Sequence, residues 1–129
     1  MSFTISRILK SDFDAAIERT IAALKSEGFG ILSDIDVKAT MKAKLGIDDF
    51  PLYRILGACN PPIAHAALLA QPDIGVMLPC NVVVRETSDG HVEVAAINPT
   101  TVMGAVGNPA LHALAEDVAA KLAKAVAAV

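Results

Sequence analysis

Two short stretches carry the groups best suited to chemistry: Gly57-Ala58-Cys59-Asn60-Pro61-Pro62 and, further along, Leu78-Pro79-Cys80-Asn81-Val82, which together hold both cysteines of the chain. Cys59 lies where a strand-like run gives way to a helix start. There, free backbone N–H groups and the helix dipole favour a thiolate or hold an anion. Cys80, arriving on a neighbouring strand, would complete a dithiol or half of a metal site. His65, about one turn into the helix, is a candidate third ligand or a base for a nucleophilic Cys59. Met77 or Met103 would add a soft donor, a set suited to Cu(I) or Zn rather than a hard cation. Asn60 and Asn81 complete the candidate ligand-binding group Cys59, Asn60, His65, Cys80 and Asn81. The competing reading is structural, because free cysteine behaves as a small hydrophobe and Cys80 shares strand parity with Val82 and Val84. No CxxC pair, zinc-ribbon spacing or third triad member accompanies the cysteines.

Weaker constellations lie elsewhere. Arg54 and Arg85 could clamp a carboxylate or phosphate in a cleft; pairing with acidic neighbours across a sheet is the plainer expectation. Asp34 and Asp36 are a spaced carboxylate pair, with Asp36 better explained as a helix cap. Gly104-Ala105-Val106-Gly107-Asn108 fits neither GxGxxG nor GxxxxGK[ST] and reads as a flexible connection. His91 and His112 are given no role.

The elements that position these residues follow from periodicity. Phe3 and Ile5 alternate with Thr4 and Ser6 in a half-buried strand. Ser11 and Asp14 resemble a capping box opening a helix over about 12–27, stopped by Gly28. A strand over 29–35 leads to Asp36, cap of a short helix with a buried stripe Val37, Met41, Leu45, ended by Gly46. A third strand, 52–58, runs to the first Cys-Asn pair, and Asn60-Pro61 starts a short helix that Gln71-Pro72 closes. Residues 75–87 read as a long strand interrupted at Pro79.

A three-residue loop, Ser88-Asp89-Gly90, then sets Arg85 opposite Glu93 and Val84 opposite Val94, whereas a two-residue loop would oppose Glu86 to Glu93. The returning strand ends at Ile97. Asn108-Pro109 opens a final helix whose apolar stripe is Leu111, Leu114, Ala115, Val118, Leu122 and Val126. The order β-α-β-α-β-α-β-β-α predicts an α+β fold: one domain over 1–129, with a mixed sheet of about five strands and helices mainly on one face. The other face then needs cover, which a homodimer supplies.

Composition narrows the partners. The 129 residues carry 11 basic and 14 acidic side chains, a net charge of −3, and the basic residues are scattered, which argues against nucleic acid. Residues 1–7 lack an export pattern and no apolar run is long enough to span a membrane, so a cytoplasmic protein is expected, with no membrane partner. In that compartment thiols stay reduced. Alanine and valine dominate the apolar share, with no Trp and one Tyr, so the core is expected to be built from small side chains.

The same blocks carry a family resemblance. Gly28-Phe29-Gly30-Ile31-Leu32 leading to Asp34-Ile35-Asp36-Val37-Lys38-Ala39-Thr40, then Tyr53 to Pro62 with Ala64-His65, then Leu78 to Val84, resemble the domain of unknown function 302 family in order and across nearly the whole chain. The resemblance implies a compact, dimeric α+β domain without an established activity, and supplies no catalytic residue. The leading expectation is a domain that binds a small molecule or thiophilic metal near the two Cys-Asn pairs. The alternatives are a thiol-dependent enzyme using Cys59 with His65, and a structural or interaction module with inert cysteines.

Overall fold

The computed structural model describes residues 2–129. Strand β1 (Thr4–Leu9) leads to helix α1 (Phe13–Ser26), then β2 (Gly30–Asp36), α2 (Val37–Leu45), β3 (Tyr53–Cys59) and α3 (Pro61–Ala70). A 3₁₀ segment, Pro72–Met77, precedes the hairpin of β4 (Cys80–Glu86) and β5 (Val92–Ile97). Helix α4 (Pro99–Val102), a 3₁₀ turn (Met103–Ala105) and α5 (Pro109–Ala128) complete the chain. No helix among the described residues is long and apolar enough to cross a membrane.

Local chemistry sets most of the boundaries. Asp36, Asn60 and Asn108 cap α2, α3 and α5, their side-chain oxygens accepting from Ala39, Ile63 and Ala110. The first cap differs from the expected box: Asp12, not Ser11, accepts from Ala15 N at 3.1 Å. Ser11 Oγ instead takes a bond from Arg19. Gly28 and Gly46, at φ 87° and 68°, end α1 and α2 in the left-handed region that a Cβ disfavours.

The sheet order is β1-β5-β4-β3-β2, antiparallel at every pair, so the five strands are present but the expected mixed sheet is not. The reason is geometric. Asp36 pairs with Arg54 and Ala58 with Cys80, so the excursions through α2 and through α3 each leave and re-enter at one end of the sheet. Such out-and-back connections yield antiparallel neighbours. Only α1 crosses the sheet, from β1 on one edge to β2 on the other, and these two strands never meet. The return half of the second excursion is the 3₁₀ segment, where a strand from about 75 was expected; the ladder starts at Cys80, after Pro79, which has no N–H to donate. The hairpin pairs Val84 with Val94 and Arg85 with Glu93, as the three-residue loop predicts, and Gly90 has φ 80°.

Helices α1 and α5 cover one face. Leu24, Leu122 and Phe29 pack there with Leu56, Val82, Val84 and Val94 in the main core. A second cluster, Ala67, Ile74, Met103, Leu111 and Ala115, lies beyond it under α3 and the 3₁₀ segment. On the opposite face Ser6, Ala95, Val83, Ile55 and Ile35 form one cross-strand row, and Ile8, Glu93, Arg85 and Tyr53 the next. None of these is buried. Helix α2 also has no buried residue: Val37 and Met41 of the expected stripe are half-buried and Leu45 is 67% exposed, so the stripe is only partly covered within one chain.

Candidate functional site

At the end of the sheet where β3 stops and β4 starts, α3 and the 3₁₀ segment stand off from the first half of α5. Between them is a cavity of about 320 Å³, about twice the size of an apolar void that takes up one benzene molecule. Ala58, Cys59, Asn60 and Cys80 form the sheet end of its wall; Ile63, Ala67 and Leu68 come from α3; Leu111, Leu114, Ala115 and Val118 come from α5. Phe29, Leu32, Leu78, Pro79 and Met103 close the remaining sides. The surface inside is almost wholly carbon and sulfur.

Register brings the two Cys-Asn pairs together. Ala58 faces Cys80 across the β3–β4 ladder, and both cysteines reach the cavity as free thiols. Cys80 packs against the main core. Its burial pushes the thiol up to about 11, and the nearby Cys59 adds to the rise. Near neutral pH it is therefore a protonated, weakly polar group and a poor nucleophile. Asn60 is occupied structurally: its oxygen caps α3, and its side-chain nitrogen lies 3.0 Å from where a Cβ on Gly28 would stand.

The remaining sequence candidates lie elsewhere. His65 is exposed and does not line the cavity, so the wall offers Cys59 no imidazole from α3. Asn81 is exposed on the other side of the sheet, opposite Gly57. Arg54 and Arg85 occupy opposite faces, because Arg85 pairs with Tyr53 rather than Arg54; no clamp forms between them. Arg54 instead holds Asp34, with Nε donating to Oδ1 at 2.7 Å, and its guanidinium lowers the Asp34 carboxyl below the usual range. Arg85 pairs with Glu93 at 2.7 Å. Met77 packs in the second cluster without reaching the cavity wall, whereas Met103 lines it. Among the described residues no group of three or more His, Cys, Asp or Glu side chains could hold a metal ion.

Most of the wall was not singled out by sequence. One signal was available: from Ile55 to Val84 the chain carries a single formally charged residue, Asp73, although Leu69 and Val76 in that stretch are 72% and 86% exposed. An uncharged segment at a surface is unusual enough to mark a contact or ligand region.

Comparison with known proteins fits this architecture. The family model described as Domain of unknown function DUF302 matches residues 5–129. The chain belongs to the DUF302 family. Among solved structures, an uncharacterized conserved DUF302 protein from Bacillus stearothermophilus is 31% identical, with 98% of each chain covered and a TM-score of 0.91. No curated protein matches. The DUF302 fold is thus shared closely with a relative that is itself described as uncharacterized.

Proposed function

We propose that this DUF302 chain binds a small apolar molecule in the cavity between α3, the 3₁₀ segment and α5. The observation that carries the reading is the wall: a hollow of about 320 Å³ lined by aliphatic side chains, one phenyl ring and two thiols. The hollow opens past the exposed Leu32 and Leu68, so apolar wall is left to water, and a guest that covers it gains that transfer energy. Few polar groups converge there, which suits a ligand recognised by shape and hydrophobic transfer. The test uses a neutral naphthylamine dye whose fluorescence rises in apolar surroundings. Saturable binding to the native protein, abolished by Ala115→Leu in the cavity wall, supports the reading. Dye binding unchanged by Ala115→Leu places the guest elsewhere and overturns it.

A soft metal ion is the second reading, favoured by Cys59, Cys80 and the Met103 thioether all lining one cavity. Thiol titration with and without a chelator separates the two readings. Thiols released only by the chelator support a metal, and equal titration supports the apolar guest.

We also infer that the open sheet face meets a second copy of the chain. The apolar row Ala95, Val83, Ile55 and Ile35 is flanked by the neutralised Arg85–Glu93 pair, so like faces carry little charge to repel one another. Sedimentation should give the dimer mass at micromolar concentration, and Val83→Lys should give the monomer. A native monomer overturns the inference.

A further inference from the structure

Two hollows share one wall. Beside the apolar cavity lies a smaller pocket of about 190 Å³, lined by Thr100, Met103, Gly104, His112, Ala115 and Glu116. Met103 and Ala115 line both hollows. The partition is thin and adaptable, since an unbranched thioether side chain has three rotatable bonds.

The smaller pocket is more mixed in chemistry, with the polar side chains of Thr100, His112 and Glu116 in its lining. His112 Nε2 is 2.7 Å from the Val106 carbonyl oxygen. A carbonyl only accepts, so Nε2 carries its hydrogen there, and in a neutral ring Nδ1 is then the acceptor. The Thr100 hydroxyl is 2.7 Å from Asn98 Oδ1, which also takes the Thr100 N–H. Donating there leaves the hydroxyl oxygen's lone pairs free. Glu116, one turn along α5 from His112, joins no ion pair among the described residues, and a carboxylate has only acceptors to offer. Three side chains in the lining, Thr100, His112 and Glu116, thus have acceptor capacity to spare.

We propose that the two hollows are halves of one site for an amphiphilic amine. The aliphatic or aromatic body lies in the apolar cavity, and the protonated amino head passes Met103 to donate to Thr100, His112 and Glu116. This rests on the reading of the cavity as an apolar-molecule site. An ammonium has three hydrogens to donate, and a charge-assisted bond to a carboxylate is worth roughly tenfold or more in affinity. A carboxylate head of the same length would meet only acceptors and a like charge.

The experiment compares three probes of one chain length, decylamine, decanol and decanoate, each displacing the naphthylamine dye below its micelle-forming concentration. Decylamine should bind at least about tenfold more tightly than decanoate, with decanol between them. Glu116→Gln should remove most of the amine's advantage while leaving decanol unchanged. Decanol binding with no preference for the amine overturns this inference and leaves the cavity reading intact. An amine preference that survives Glu116→Gln overturns it equally, since the preference would then arise from the net negative charge of the whole chain. Failure of all three probes, decanol included, overturns the cavity reading and this inference with it.

Discussion

Helix α5 closes two interiors of different character. Its second half, through Leu122, Ala125 and Val126, meets α1 and the sheet in a core where Leu24, Leu56, Val82, Val84 and Val94 are almost wholly buried. Its first half, through Leu111 and Ala115, faces α3 and the 3₁₀ segment across the cavity. The same alternation of leucine and alanine along one helix thus packs solid in one place and hollow in the other. What differs is the opposite side. Under the second half lies a pleated sheet whose side chains stand toward the helix at regular spacing. Beyond the sheet end there are only two short segments joined at Gln71-Pro72, an alanine-rich α3 and the 3₁₀ turn, which leave the space unfilled. The hollow belongs to the topology: an out-and-back connection that overshoots its sheet.

That contrast predicts unequal responses to like substitutions. Leu122→Ala should cost about 3–5 kcal/mol, as expected for a leucine held between a helix and a sheet, and Leu111→Ala, though equally buried, only about 2 kcal/mol, since the two short segments opposite it can settle into the space it leaves. Urea unfolding measures both, and equal losses would mean that the cavity is filled or collapsed in solution.

Cys80 spans both regions, packed against the main core and lining the cavity. Its thiol is raised in the folded state, so the unfolded chain loses that proton first as pH rises. Stability should be intact below about pH 9 and fall by up to roughly 2–3 kcal/mol toward pH 11. Cys80→Ala should remove that part of the pH dependence in parallel urea titrations, and an unchanged slope would show that the thiol is more hydrated than its burial implies.

Small-to-large changes sharpen the comparison from the other side. Ala96→Leu, in the filled core, should cost about 1–3 kcal/mol through overpacking, whereas Ala115→Leu should stay within about 1 kcal/mol of the native stability because it grows into empty space. Thermal or urea unfolding would show the order, and reversal would mean that the two interiors have been assigned the wrong way round. The smallest effect belongs to neither interior. Asp34→Asn removes the partner of Arg54 at a partly exposed edge and should cost less than about 1 kcal/mol, with the loss reduced further by salt.

How much of this could be read in the chain depends on how local each cause is. Asp36, Asn60 and Asn108 before their helices, Gly28 and Gly46 after theirs, and the Arg85–Glu93 register of the hairpin are decided within a few residues, and all were legible. The side-by-side placement of the cysteines was legible too, because a short excursion that returns beside its own strand leaves few alternatives. Strand direction was not, because it depended on recognising Pro72–Met77 as the return leg of that excursion, and Ile74, Val76 and Leu78 alternate like a strand. The cavity was the least legible feature. Its wall joins Phe29, Leu68, Met103 and Leu111 from distant parts of the chain, and a void is a property of what those residues fail to fill. His112 and Glu116 look solvated on a helical wheel and both are exposed; what the wheel does not show is the turn at Val106, whose carbonyl gives the imidazole a fixed partner.

Asn108 has a consequence for how a guest could enter. Its oxygen caps α5, while its side-chain nitrogen donates to Ala70 O at 3.2 Å and lies 3.4 Å from Gln71 Oε1. At the far end of α5, Arg7 Nη1 donates to the carbonyls of Ala127 and Val129, each at 2.8 Å. The floor of the cavity is therefore pinned at both ends, and the roof is pinned at the junction of α3 with the 3₁₀ segment. Breathing motions should be expressed at the unpinned side, around Gly75, Val76 and Leu78. Amide exchange there should be faster than along α5, and slowed by any guest that bridges roof to floor.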